Sequence, residues 1–182
     1  MAYHHLALAT KDMSETHQFY EGVMGFELVK VEVAPIPSGG WGKHFFYRMA
    51  GDDTKFIAFW ELHETAQQDK IEFDINKAAK TPEGTYHFSF NVESVDDLNA
   101  WRERWNDAGH DVLELDHNWC HSVYTKDPDN NFVEFCLTTG AFSQEDRDRA
   151  IAALDETEMI PSPPPAKMRV WPATSARPTA AE

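Results

Sequence analysis

Two stretches of the chain repeat one layout. His5-Leu6-Ala7-Leu8-Ala9-Thr10 and His87-Phe88-Ser89-Phe90-Asn91-Val92 each open a short apolar strand with a histidine. Each then leads into an amphipathic helix ending at a glycine, Gly25 in the first copy and Gly109 in the second. Such a duplication constrains the fold strongly, because each copy must bury its apolar face and both must do so in the same way. It also sets His5 and His87 at equivalent positions of two modules.

In the first copy, strand 3–9 is followed by a helix begun by Asp12, with Glu15 three residues on, a capping pattern. Phe19, Tyr20, Val23 and Met24 give that helix its apolar face, and Gly25 ends it. Strands follow over 26–33, 45–49 and 56–62, separated by a loop rich in Pro and Gly and by the turn Gly51-Asp52-Asp53. The second copy repeats this order. Ser94 and Asp97 cap a helix whose Val95, Leu98, Trp101 and Trp105 share one face, and strands follow over 111–115, 121–125 and 132–137. The expected organisation is a first module over 1–63, a polar connector over 64–84, a second module over 85–140, a C-terminal helix within 141–160 and a flexible Pro-rich tail over 161–182.

The second module closes on Asp127-Pro128-Asp129-Asn130-Asn131-Phe132-Val133-Glu134-Phe135, a turn and then a strand carrying one carboxylate in an apolar run. Two histidines and one glutamate embedded in apolar strands are the ingredients of a facial metal site, since burying them unpaired carries a desolvation penalty that coordination offsets. The alternative for Glu134 is an outward-facing position on a half-exposed strand.

Composition narrows the partners. A net charge of -15 leaves no basic field to hold phosphates, which argues against nucleic acid or an anionic membrane. Cys120 and Cys136 are too few for a disulfide framework, so a reducing compartment is expected. The chain opens without a charged-then-apolar leader and has no apolar run of membrane-spanning length, so a soluble cytoplasmic protein is expected. With 182 residues, of which 42% are hydrophobic, it is long enough for one packed domain or two joined modules.

Paired strand-helix-three-strand modules, with "HHLALATKD" and "FYEGVMGFEL" in the first and "DPDNNFVEF" in the second, resemble the vicinal oxygen chelate superfamily of glyoxalases, extradiol ring-cleavage dioxygenases, epimerases and drug-resistance proteins. The resemblance covers residues 3–137. It implies an α+β fold of two tandem βαβββ modules forming half-barrels around a metal, with a C-terminal helix and a mobile tail. It also implies that His5, His87 and Glu134 are the ligands. Members of this superfamily commonly pack modules edge to edge, which implies a homodimer.

In glyoxalase-like members, the last strand of the first module supplies a fourth ligand. Here that strand reads Phe56-Ile57-Ala58-Phe59-Trp60-Glu61-Leu62-His63. Either Ala58 or Glu61 occupies the corner, but not both, because residues three apart face opposite sides of a regular strand. Glu61, with His63 beside it, is therefore either a fourth ligand or supporting group, or a solvated strand end.

A second resemblance is to the extradiol dioxygenase signature. His117 is followed by five residues, Val123-Tyr124, two residues, Asp127-Pro128, one residue, Asn130, three residues and Glu134. Leu115 stands where a small or β-branched residue is usual, and Asn130 replaces the Gly or Pro of the turn. Asn tolerates the left-handed backbone such a turn demands. This resemblance implies iron(II), with adjacent open positions for a catechol and dioxygen, Tyr124 donating a hydrogen bond and His117 moving protons. His121 is the alternative occupant of the latter role, and Trp60 and His121 are possible substrate contacts. Trp41, Lys43 and His44 follow a Gly-rich loop and read as a lid, as contacts to an anionic substrate, or as a solvated hairpin end.

The expected function is thus an iron(II) extradiol-type dioxygenase acting on a small aromatic molecule, with manganese(II), zinc(II) or nickel(II) as alternative metals. The other readings are a glyoxalase- or epimerase-type lyase or isomerase using Glu61 as fourth ligand, and a non-enzymatic drug-binding protein.

Overall fold

The computed structural model describes residues 3–49, 52–66 and 68–175. The chain forms two compact units, one running to Phe88 and taking in residues 126–133, the other made of residues 89–125 and 134–175.

The first unit is built on a four-stranded sheet of β1 (His5–Ala9), β2 (Glu27–Pro35), β3 (Trp41–Arg48) and β4 (Phe56–His63), in the order β1-β4-β3-β2. Strand β1 runs parallel to β4, and the other pairs are antiparallel. Between β1 and β2 lies α1 (Met13–His17), which continues as a π-helical turn over Gln18–Val23. Asp12 starts it by accepting bonds from the backbone of Ser14 and Glu15 at 2.8 and 3.0 Å, leaving fewer orphan amides in the first turn. Gly25, at φ 72°, ends it in a conformation that glycine adopts without strain. The helical segment packs Phe19, Tyr20 and Met24 onto one face of the sheet, where Tyr47, Ile57 and Phe59 complete a buried core and the Tyr20 and Phe59 rings lie 4.4 Å apart.

The connector packs through α2 (Ile75–Ala79), whose buried Asn76 brackets the backbone of Tyr86 with bonds of 2.7 and 2.9 Å. The turn at 126–133 belongs to this unit. The Asp127 carboxylate accepts from the amides of Asp129 and Asn131, both at 2.9 Å, and from the Tyr20 hydroxyl at 3.1 Å. Asn130 takes φ 65°, the left-handed backbone expected of it.

The second sheet holds β5 (His87–Asn91), β6 (Val112–Asp116), β7 (Cys120–Lys126), β8 (Phe132–Thr138) and β9 (Lys167–Trp171), ordered β5-β8-β7-β6-β9. Helix α3 (Val95–Asp107) is capped by Ser94, which accepts from Asp97 N, and stops before Gly109. Its Trp101 stacks on Phe135 at 4.0 Å, and Leu98, Trp105, Val112 and Val123 are buried around that contact.

The expected α+β architecture of two βαβββ modules is present as two open sheets, neither closed into a barrel. The expected tail is corrected over its described part, and residues 176–182 of it lie outside the described residues. Residues 167–171 form β9, antiparallel to β6, and Trp171 donates its indole N–H to the buried Glu114 carboxylate at 2.7 Å. Helix α4 (Gln144–Ala152) falls within the expected C-terminal helix and is exposed along its length. Among the described residues, no helix is long and apolar enough to cross a membrane.

Candidate functional site

Strand register sorts the first sheet into two faces. His5 pairs with Phe56 and Ala7 with Ala58, while Ala58 pairs with Phe46 and Trp60 with His44. Because paired residues project to the same side, His5, Ala7, His44, Phe46, Ala58 and Trp60 share the face turned away from the helical segment. Glu61 and His63 alternate to the other face. There Glu61 accepts from Lys43 Nζ at 2.9 Å and borders a cleft of about 400 Å³ with Thr10, Lys11, Glu72 and Phe73, while His63 stacks on Trp41 at 4.0 Å. Ala58, not Glu61, is therefore the residue that accompanies His5.

His5 is exposed, with its Nδ1 2.9 Å from that of His4. His44 is 8% exposed and lies flat on Trp60, ring centroids 4.1 Å apart and planes 12° apart. Its Nε2 has no hydrogen-bond partner among the described residues. Burial, and secondarily the proximity of His5, lowers its pKa.

In the second sheet, Thr139 N bonds to Trp119 O at 2.9 Å, and counting inward along the antiparallel hairpin sets Tyr124 opposite Glu134. Phe135 packs on α3, so Glu134 and Tyr124 project to the face away from the helix. Glu134 is buried at 4% exposure. The Tyr124 hydroxyl bonds its carboxylate, and His117 Nε2 lies 3.1 Å from the same hydroxyl. With the tyrosine proton on Glu134, His117 must be the tautomer that carries its hydrogen on Nε2. Burial raises the Tyr124 pKa well above the ordinary tyrosine range, and the bond to Glu134 adds to this. Cys120 shares this face, its thiol pushed up to about 11 by burial and by neighbouring Cys136.

His121 alternates to the opposite face from Tyr124 and bonds Glu114 at 2.9 Å. It is thus held in the Glu114 cluster, while His117 meets Tyr124. His87 is exposed, its Nδ1 3.0 Å from Gly84 O. Among the described residues, no group of three or more His, Cys, Asp or Glu side chains is gathered to hold a metal. His5 and His87 lie in the first unit and Glu134 in the second. As donor types, imidazole and carboxylate side chains suit divalent cations such as iron(II).

For His44 the sequence leaves a lid, a substrate contact and a solvated hairpin end open, and the structure places it on the His5 face of the sheet. Its alternation with Phe46 in β3 was the available signal.

The family model for the Glyoxalase/Bleomycin resistance protein/Dioxygenase superfamily matches residues 2–135. No curated protein matches the chain. Among solved structures, a glyoxylase/bleomycin resistance protein/dioxygenase domain from Frankia sp. EAN1pec is 20% identical with a TM-score of 0.58, over 76% of this chain and 98% of that one. The fosfomycin resistance protein FosX from Listeria monocytogenes is 18% identical with a TM-score of 0.52, over 81% and 98%. TnmS3, an antibiotic binding protein from Streptomyces sp. CB03234, is 14% identical with a TM-score of 0.51, over 76% and 97%. At these identities the likeness is one of fold.

Proposed function

The chain belongs to the glyoxalase/bleomycin resistance protein/dioxygenase superfamily, and from that premise we propose that it is an iron(II)-dependent, extradiol-type dioxygenase opening the ring of a catechol-like aromatic. The observation that carries the proposal is the hydrogen-bonded run from His117 through Tyr124 to Glu134, with 3.1 Å between the imidazole and the hydroxyl. A buried carboxylate fixed by a tyrosine, with an imidazole on that same tyrosine, is suited to handling protons next to a ligand atom.

His5, His87 and Glu134 are the proposed ligands. These residues would hold iron(II), which when bound would supply the chemistry that brings catechol and dioxygen together. Ala58, on the face of His5, has no donor atom that would hold a metal there. Tyr124, kept protonated by burial, turns its hydroxyl from Glu134 to a substrate oxygen when one is bound beside it. His117, on the other side of that hydroxyl, is the imidazole placed to move protons there. Trp60 and Phe46 offer apolar surface for a flat ring. The four-ligand lyase reading has less support, since Glu61 pairs with Lys43 on the other face of its strand. The same proposal takes the assembly to be a homodimer acting on a small aromatic molecule.

The test is anaerobic loading with iron(II), then a panel of catechols followed by oxygen electrode and absorbance. Uptake of one dioxygen per ring, with both atoms incorporated and a yellow ring-opened product, is expected. Turnover of a methylglyoxal–thiol adduct with nickel or zinc, without oxygen uptake, would transfer the assignment to the lyase class.

A further inference from the structure

We propose that His44 orients the ligand: its Nε2 hydrogen-bonds a polar substituent of an aromatic ring lying on the sheet face of His5, Ala7 and Ala58. This deepens the proposed function and rests on that face being the substrate side.

Three observations carry it. Register puts His44 on the same face as His5, and the two rings are 6.1 Å apart. The imidazole is 8% exposed and clamped between aromatic neighbours, Trp60 at 4.1 Å and Phe46 at 4.2 Å, so its orientation is set before any ligand arrives. Its Nε2 is buried and lacks a hydrogen-bond partner among the described residues. A buried polar atom without a partner is unfavourable, and such atoms in folded proteins are satisfied by water or by a ligand. Apolar walls with a few fixed polar atoms are how pockets select both the shape and the substitution pattern of a small molecule. The Trp60–Phe46 surroundings suit a flat ring, and His44 then reads one polar substituent on it.

The probe is nitrocatechol, added to the full-length protein without metal and, separately, after iron(II) loading. Binding is measured by calorimetry, and the His44 ring nitrogens are followed by long-range 15N NMR. The Nε2 resonance is expected to move on saturation, and His44→Phe, which keeps a flat ring on Trp60, is expected to weaken binding about tenfold. His44→Gln, which restores a donor, should recover most of the loss, and it also serves if the Phe variant does not fold. An Nε2 resonance unmoved at saturation, or equal affinity in His44→Phe and wild type, would overturn the inference. The two proposals fail separately. Binding that moves His44 without oxygen uptake removes ring cleavage alone, and oxygen uptake with unchanged affinity in His44→Phe removes the role of His44 alone.

Discussion

The Nε2 of His117 and the hydroxyl of Tyr124, seven positions apart in the chain, lie 3.1 Å from each other. They meet because β6 and β7 are antiparallel neighbours and both side chains leave the sheet on the side away from α3. The hydroxyl also bonds Glu134 across β7 and β8, so one tyrosine links an imidazole to a buried carboxylate.

Removing the tyrosine hydroxyl or the imidazole should slow turnover without emptying the metal site. Tyr124→Phe and His117→Ala are each expected to lower kcat with catechols by about two to four orders of magnitude, the usual worth of a positioned proton donor or acceptor. Tyr124→Phe should also destabilise the fold by about 1–3 kcal/mol, because the buried Glu134 loses its hydroxyl. Steady-state kinetics and urea melts check both, and wild-type kcat in both variants would remove the pair from the mechanism.

The ligand set makes a separate prediction. His5→Ala, His87→Ala and Glu134→Ala should each lose most bound metal, since the two remaining ligands cannot replace the missing bond. Glu61→Ala should retain it, and should cost no more than about 1 kcal/mol for its partly exposed pair with Lys43. Elemental analysis after dialysis decides the matter: near wild-type metal in two of the first three variants would sink the triad, and metal loss in Glu61→Ala would restore the fourth-ligand reading.

The duplicated layout was legible because helix and strand periodicities are local. Asp12 and Ser94 cap their helices as the spacing suggests, and Asn130 adopts the left-handed turn. The choice between Ala58 and Glu61 was not local. It depends on how β4 meets β1 and β3, and a one-residue slip would reverse it. Strand β9 was hidden for a different reason. Five residues after a Pro-rich run carry little signal of their own, and what holds them is an edge of β6 and the Glu114 carboxylate, far away in sequence. The alternation of Lys167, Arg169 and Trp171 with Met168 and Val170 was the one trace of it.

Asp127 gives the stability a pH dependence. Burial, with the charge of Asp129 adding and hydrogen bonds from Asn131 opposing, raises its carboxyl to about 6. A folded pKa above the unfolded value of about 3.9 means the folded state holds the proton more tightly, so this contribution is complete below about pH 4 and is lost as pH rises through about 6. Urea unfolding across that window should show a decline of up to about 3 kcal/mol, flattened in Asp127→Asn. A wild-type profile that rises over the same range would contradict it.

The last prediction concerns the C-terminal strand. Glu114 is 3% exposed and accepts bonds from Lys167 Nζ at 2.5 Å, Trp171 Nε1 at 2.7 Å and His121 Nε2 at 2.9 Å. Asn106 also holds the Trp171 carbonyl at 3.1 Å, and the Arg102 and Arg169 guanidinium groups stack on the indole at 4.3 and 3.4 Å. A chain ending at Ile160 would strip two of the three donors from a buried carboxylate and bare the edge of β6. Leaving a buried charge without its partners typically destabilises by about 3–5 kcal/mol, far more than loss of a solvated tail. The truncated protein should therefore melt well below the full chain, and Glu114→Gln should narrow the difference by removing the stranded charge. Equal melting temperatures for the truncated and full-length proteins would show that β9 is only laid on the sheet rather than holding it.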